Sequence, residues 1–311
     1  MVVDPEAGPA ARIDGAGDSG DVLPAGGVVV ELGADLHVVL LWSGASLQGV
    51  RGAYARGHHE AGQGTPRSAA RRIAMGVSHT VFMSFKEGAD EALIQEFWDK
   101  LDEFPSKKPG LRRWISGKPG NYYPISSEDY DLAFSVEVDS PAAMVDYAKH
   151  PFHMDAAALM GPIIEDVLVV DFEFTAVQQS AVAYKAPREG DDNVAIAHVT
   201  CLAFKDDASE EDIEEFTLAL DRFPRQKPFI RRWILGKPGP YYGSATDRFD
   251  LVFIAEVDSI EAMEEYAAHP YHTEVVGPML GPIMKDVLVV DYAYSRVIES
   301  AVDYAQIIPY R

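Results

Sequence analysis

The chain contains one pattern written twice. His79-Thr-Val-Phe-Met-Ser-Phe-Lys86 returns as His198-Val-Thr-Cys-Leu-Ala-Phe-Lys205, 119 positions on. Arg112-Arg-Trp-Ile-Ser-Gly-Lys-Pro-Gly120 returns as Arg231-Arg-Trp-Ile-Leu-Gly-Lys-Pro-Gly239 at the same offset of 119. One residue is inserted before Gly281-Pro282, so the later matches, from Gly161-Pro162 onward, run at an offset of 120. The likeness extends through Ser180-Ala-Val182 and Tyr184, which recur as Ser300-Ala-Val302 and Tyr304. A duplication of this length restricts the architecture sharply. Whatever fold satisfies one copy satisfies both, so 311 residues resolve into two like units, not one large domain.

The segment before the repeats is of different composition. Residues 1–74 hold 13 of the 25 glycines, with 8 acidic residues, 6 arginines and no lysine. Only Val28–Trp42 offers a run that could bury itself, as a pair of short strands. We expect 1–74 to be a poorly structured N-terminal extension. Gly49–Ala74 is Arg-rich, as a targeting segment would be, but the acidic stretch ahead of it is not. The remaining boundaries are 75–184 and 196–304 for the two repeats, 185–195 for a linker, and 305–311 for a C-terminal tail.

Each repeat reads as strand, helix, strand, strand, helix, strand. Val77–Lys86 is apolar on one face and partly on the other, as in a mostly buried strand. Leu93, Ile94, Phe97, Trp98 and Leu101 follow at helical spacing. Ser209 with Asp212 has capping-box spacing, and Pro105 and Pro224 are expected to stop these helices. Leu111–Ser116 and Tyr130–Val138 are strands. Ser140 supplies an N-cap with Pro141 in the first turn of the next helix. The Val-Leu-Val-Val run of 166–174 closes the unit. This βαββαβ order is ferredoxin-like, an α+β fold whose antiparallel sheet has helices on one face and an apolar face left over. Two units in one chain can cover each other, which predicts an intramolecular dimeric α/β barrel.

Composition excludes several functions. A net charge of −22, of which −20 lies in 75–311, is unsuited to binding phosphate backbones or anionic membranes. One cysteine, Cys201, allows neither an intramolecular disulfide nor a Cys-based metal site. No apolar run approaches a membrane span. Gly117-Lys-Pro-Gly120 and its copy lack phosphate-loop spacing and read as turns. No motif indicates a cofactor or a metal centre. The expected partner is a small molecule, with no nucleic acid and no membrane, and further self-association is open; the expected location is the cytoplasm.

Three features together resemble a known family, the stress-responsive dimeric α/β-barrel (Dabb) proteins. His79 and His198 open the first strand of each repeat. Tyr147-Ala-Lys-His150-Pro-Phe-His153 and Tyr266-Ala-Ala-His269-Pro-Tyr-His272 carry a Tyr-x-x-His-Pro-x-His element. Each repeat ends in Asp-Val-Leu-Val-Val-Asp-[Phe/Tyr]. The resemblance covers 77–174 and 196–294 and implies a fused version of a homodimer. It implies a stress-response barrel protein that binds a small apolar or aromatic ligand in or beside the barrel. It also implies an alternative, a polyketide cyclase akin to olivetolic acid cyclase that closes a ring by an aldol step. In that reading Tyr147 with His153, and Tyr266 with His272, are the catalytic pairs. His79, His198, His150 and His269 would line the pocket. A monooxygenase, related at superfamily level, is a third class without a motif here.

The chemistry of the element can be read directly from its residues. Pro151 keeps His150 out of a helical conformation, so one helix ends there and another starts. His153 then lies in a first turn, where positive charge is disfavoured and a neutral imidazole can accept a proton. A tyrosine hydroxyl beside it can donate to a developing enolate. The competing reading makes His-Pro-x-His a helix corner whose imidazoles bond backbone groups. Arg112 and Arg231 are the remaining ligand-binding candidates, if one arginine of each Arg-Arg pair faces the barrel interior. Trp114 and Trp233 share their face and are expected in the core.

Overall fold

In a computed structural model the described residues are 29–32, 36–39, 76–107, 110–127, 129–180, 194–227, 229–243, 245–295, 297–299 and 307–310. Val29–Leu32 (β1) and Leu36–Val39 (β2) pair antiparallel, inside the stretch of the extension that offered strands. The rest of 1–75, and 181–193 with most of the expected linker, lie outside the described residues.

The first repeat runs β3 (Gly76–Phe85), α1 (Glu91–Lys107), β4 (Leu111–Pro119), β5 (Leu132–Val138), α2 (Pro141–Lys149), α3 (Pro151–Ala157), α4 (Met160–Ile163), β6 (Ile164–Phe174) and β7 (Val177–Ser180). The second runs β8 (Ala195–Phe204), α5 (Glu210–Asp221), α6 (Phe223–Gln226), β9 (Ile230–Pro238), β10 (Leu251–Val257), α7 (Ile260–Ala268), a π-helical turn (Tyr271–Val276), α8 (Gly277–Ile283), β11 (Met284–Tyr294) and β12 (Ile298–Glu299). Ile307–Tyr310, within the expected tail, forms β13 parallel to β7. Ser140, Ser209 and Ser259 cap their helices, each accepting from the backbone N–H three residues on. Pro105 does not stop its helix. It sits inside the last turn of α1, where the N–H it lacks forfeits one bond near the end. In the second repeat the helix breaks at Arg222, and Pro224 enters the first turn of α6.

The strands close into a ring. The order β10-β8-β11-β4-β5-β3-β6-β9 returns to β10 through the β9–β10 pairing. The fold is therefore two ferredoxin-like repeats sharing one barrel, as the duplication predicts. The seams between repeats are β4–β11 and β6–β9. Both are built from the Gly-Lys-Pro segments, and this corrects their reading as turns. Lys118 and Pro119 pair with Ala293 and Tyr292, and Lys237 and Pro238 pair with Glu173 and Phe172. Glycine is required because the chains nearly touch. A Cβ on Gly117 would stand 1.9 Å from the Ala293 carbonyl oxygen, and one on Gly236 1.8 Å from that of Glu173. Glycine and proline read as breakers, yet a seam strand needs glycine for close approach and tolerates proline at its end. The trailing strands also cross over, β7 onto β9 and β12 onto β4.

The interior of the barrel is packed, with Phe82, Phe172, Phe174, Cys201, Tyr292 and Tyr294 among its members. Cys201 and its counterpart Phe82 occupy this core, as expected of an apolar substitution, and burial pushes the Cys201 thiol well up. Two further cores lie outside the barrel, between sheet and helices, one per repeat. Trp114 stacks on Phe134 at 5.0 Å in one and Trp233 on Phe253 at 4.6 Å in the other. No helix among the described residues is long and apolar enough to cross a membrane.

Replacing Gly117 or Gly236 by Ala should cost about 1–3 kcal/mol by overpacking the seam. Gly281→Ala, where an added Cβ meets nothing within 4 Å, should be neutral or mildly stabilising. Urea unfolding of the three variants checks this; equal behaviour would show that the seams are not tight.

Candidate functional site

Alternation along β3 and β8 turns His79 and His198 away from the barrel interior and toward the helices. There the Tyr-x-x-His-Pro-x-His elements meet them. In the first repeat the rings of Tyr147 and His153 lie 5.1 Å apart and Tyr147 is 5.4 Å from His79. In the second, Tyr266 is 5.2 Å from His272 and 4.9 Å from His198. The structure thus gathers the Tyr, the first-strand His and the last His of each repeat into one cage. The cages lie beside the barrel, not in it.

Three groups of the cages were missed by the sequence reading. The first is the acid. His79 Nδ1 donates to Asp171 at 2.7 Å and His198 Nδ1 donates to Asp291 at 2.6 Å, all four residues being buried. A carboxylate can only accept, so each ring carries a proton on Nδ1, and the neutral form of the ring presents Nε2 as an acceptor. The second is a tyrosine from the other repeat. The loop after β9 places Tyr242 with its ring 5.0 Å from His79 and 5.7 Å from His153. The loop after β4 places Tyr123 5.0 Å from His198 and 5.7 Å from His272. These loops are clamped by backbone bonds across the seam. Gly239 and Thr246 donate to the carbonyls of Asp171 and Val169, and Gly120 and Ser127 to those of Asp291 and Val289. The repeated Tyr-Tyr after each Gly-Lys-Pro-Gly was the available signal.

The third is Lys227, buried under the second cage. Its Nζ lies 3.0 Å from the Tyr266 carbonyl oxygen, 3.6 Å over the Tyr266 ring and 4.1 Å over Phe223. Burial pulls this ammonium down to about 6. Burial, with Lys227 adding, also pulls His272 down to about 4. The neutral ring expected for the last His is present there, but desolvation outranks the helix end as its cause. His272 Nδ1 donates to the Ala267 carbonyl at 3.2 Å, and Nε2 accepts from the Tyr123 hydroxyl at 3.3 Å. Burial raises the Tyr147 and Tyr266 hydroxyls well above their ordinary value and Tyr123 to about 12, so these stay protonated donors.

The other candidates lie elsewhere. His150 and His269 accept from the backbone N–H of Phe152 and Tyr271 at 3.3 and 3.2 Å, the helix-corner geometry of the competing reading. Arg112 and Arg231 pair with Asp139 and Asp258 on the outer, half-buried face. The arginines that face the barrel interior are Arg113 and Arg232, one position on in each Arg-Arg pair. Arg113 reaches Glu256 at 2.6 Å and Arg232 reaches Glu137 at 2.7 Å, each glutamate belonging to the other repeat. Arg112 and Arg231 share instead the face of Trp114 and Trp233, as alternation requires. Burial alone would raise the Glu256 carboxyl. Arg113, Arg232 and the Tyr294 hydroxyl outweigh it and hold Glu256 below its usual value.

Comparison with known proteins agrees with this architecture. A model of the stress responsive A/B barrel domain matches residues 77–174 and 196–294, once per repeat and over more than half of the chain. A stress-response A/B barrel domain-containing protein of Arabidopsis thaliana is 24% identical over 108 residues, which is 35% of this chain and 95% of that protein. A solved structure from Fusobacterium nucleatum, provisionally assigned as a monooxygenase, superposes with a TM-score of 0.53 at 9% identity, covering 76% of this chain and 100% of that one. An anthrone oxidase-like protein gives 0.51 at 13% identity, over 74% and 97%. At such identities the likeness shows the shared fold alone.

The depressed His272 fixes a pH dependence. The folded state holds a neutral ring, so its stabilisation is complete above the ordinary value near 6.5 and is lost as pH falls toward about 4. Long-range ¹⁵N–¹H NMR should show His272 as the Nδ1–H tautomer with a midpoint near 4; a midpoint at 6.5 would contradict its burial.

Proposed function

We propose, from the premise that the chain belongs to the stress responsive A/B barrel domain family, that it binds a small aromatic or apolar ligand in the cages beside its barrel. One observation carries this reading: each cage joins a buried His–Asp pair to tyrosines from both repeats. Rings offer flat apolar walls, and hydroxyls and an imidazole acceptor offer orientation, which is the usual make-up of a small-molecule site. His153 and Tyr242 in the first cage, and Tyr123 and His272 in the second, are half-buried, so each cage reaches the protein surface. The provisional monooxygenase and the anthrone oxidase-like protein share this fold, and the second of these names refers to an aromatic compound.

Ring closure by Tyr147 with His153, or Tyr266 with His272, is the less favoured reading. None of the relatives reported above carries that activity in its name. In the second cage both His272 nitrogens already hold protein groups, so that ring is not free to act as a base. His79 and His198 serve as oriented acceptors, and His150 and His269 as helix caps. One chain supplies both halves of the pseudo-dimer. A single cysteine and a strongly acidic chain suit the cytoplasm.

Isothermal titration with a panel of phenols and aryl ketones tests the reading. Tyr242→Ala, a change in the second repeat, should weaken binding by about tenfold by removing one wall of the first cage. Absence of binding across the panel would refute it.

A further inference from the structure

The duplication provides an internal control, because each cage shows what the other lacks. In the second cage every acceptor of the His–Asp pair is satisfied. Asp291 takes His198 on Oδ1 and the Ser126 hydroxyl on Oδ2 at 2.6 Å, and His198 Nε2 takes the Thr200 hydroxyl at 3.0 Å. In the first cage the residues at these two positions are Ala245 and Val81, neither with a hydroxyl. Asp171 Oδ2 is consequently buried without a hydrogen-bond partner, and His79 Nε2 has none among the described residues. An unpaired buried carboxylate oxygen is costly, so it is a strong recruiter of a donor.

The second cage has no such opening. The acceptors of its His–Asp pair are taken by Ser126 and Thr200, and Lys227 lies against the Tyr266 ring. The two cages therefore share a frame and differ in whether those acceptors are filled.

We propose that the cages are functionally unequal: the first takes a ligand bearing a phenol- or enol-type hydroxyl, which it donates to the unpaired acceptors of the His79–Asp171 pair. The second, its acceptors closed by Ser126 and Thr200, has no use for such a group. This deepens the ligand-binding reading and rests on it. A phenol keeps its proton near neutral pH and presents one strong donor on a flat ring, which suits an aromatic cage better than a carboxylate, whose charge Asp171 would repel.

The experiment uses the full chain with two probes of nearly equal shape, phenol and anisole, of which only phenol can donate. Binding is read by ligand-observed NMR and by the ¹⁵N shift of His79 Nε2. The wild type should favour phenol by about tenfold, with the His79 signal moving and that of His198 still. Val81→Thr with Ala245→Ser copies the donors of the second cage into the first. It should erase the preference for phenol, leave anisole binding in place, and raise the melting temperature. Ala245→Ser alone, a loop change, should give part of each effect and serves if the double variant folds poorly. Equal binding of phenol and anisole by the wild type would overturn the inference while leaving the ligand-binding reading intact. So would an undiminished phenol preference in both variants. If neither probe nor any member of the wider panel binds, both readings fall together.

Discussion

Four charges sealed inside the barrel set the terms for the whole molecule. Arg113, Arg232, Glu137 and Glu256 are all buried, and the short contacts, at 2.6 and 2.7 Å, cross from one repeat to the other. The contact within the second repeat, Arg232 to Glu256, is longer at 3.4 Å. Desolvating an ion costs several kcal/mol, and removing one partner of a buried pair costs roughly 3–5 kcal/mol. A lone repeat would expose the inner face of its sheet to water, its charges and its apolar side chains together, so the charges are desolvated only when the barrel closes and each finds its partner across it. The packed interior drives association, and the crossed charges fix how the repeats meet.

Closure of the barrel then positions the cages. The seams demand glycine at 117 and 236, and the chain that leaves each seam strand docks on the last strand of the other repeat. That docking brings Tyr242 to His79 and Tyr123 to His198. Each cage is therefore a product of the assembled barrel. Its His–Asp pair and its Tyr-x-x-His-Pro-x-His element come from one half, and its outer wall from the other. A single gene carrying both halves lets the two cages diverge. A symmetric homodimer cannot do so, because any change appears twice. Ser126 against Ala245, and Thr200 against Val81, are such divergences.

Much of this was legible in the residues. The repeat, the βαββαβ order, the serine caps and the shared barrel follow from period, capping and the need to cover an apolar sheet. So does the meeting of Tyr147 with His153 and of Tyr266 with His272, which a helix corner brings together locally. Pairings across the seam were not legible. Asp171 lies 92 positions from His79 and Arg113 lies 143 positions from Glu256, and no local pattern encodes such distances. The Gly-Lys-Pro segments misled because composition alone cannot separate a turn from a strand end squeezed against another backbone. The choice between Arg112 and Arg113 depended on which face of one strand turns inward, and a single-residue shift of phase reverses it.

The crossed charges hold the two repeats together as one cooperative body. Hydrogen exchange on Glu256→Gln, followed segment by segment, tests this most directly. Protection should fall in β3 and β4 of the first repeat as much as in β9 and β10 of the second, because Arg113 loses the charge it meets across the barrel, even though it keeps its contact to the exposed Glu299. Loss of protection confined to the second repeat would contradict it.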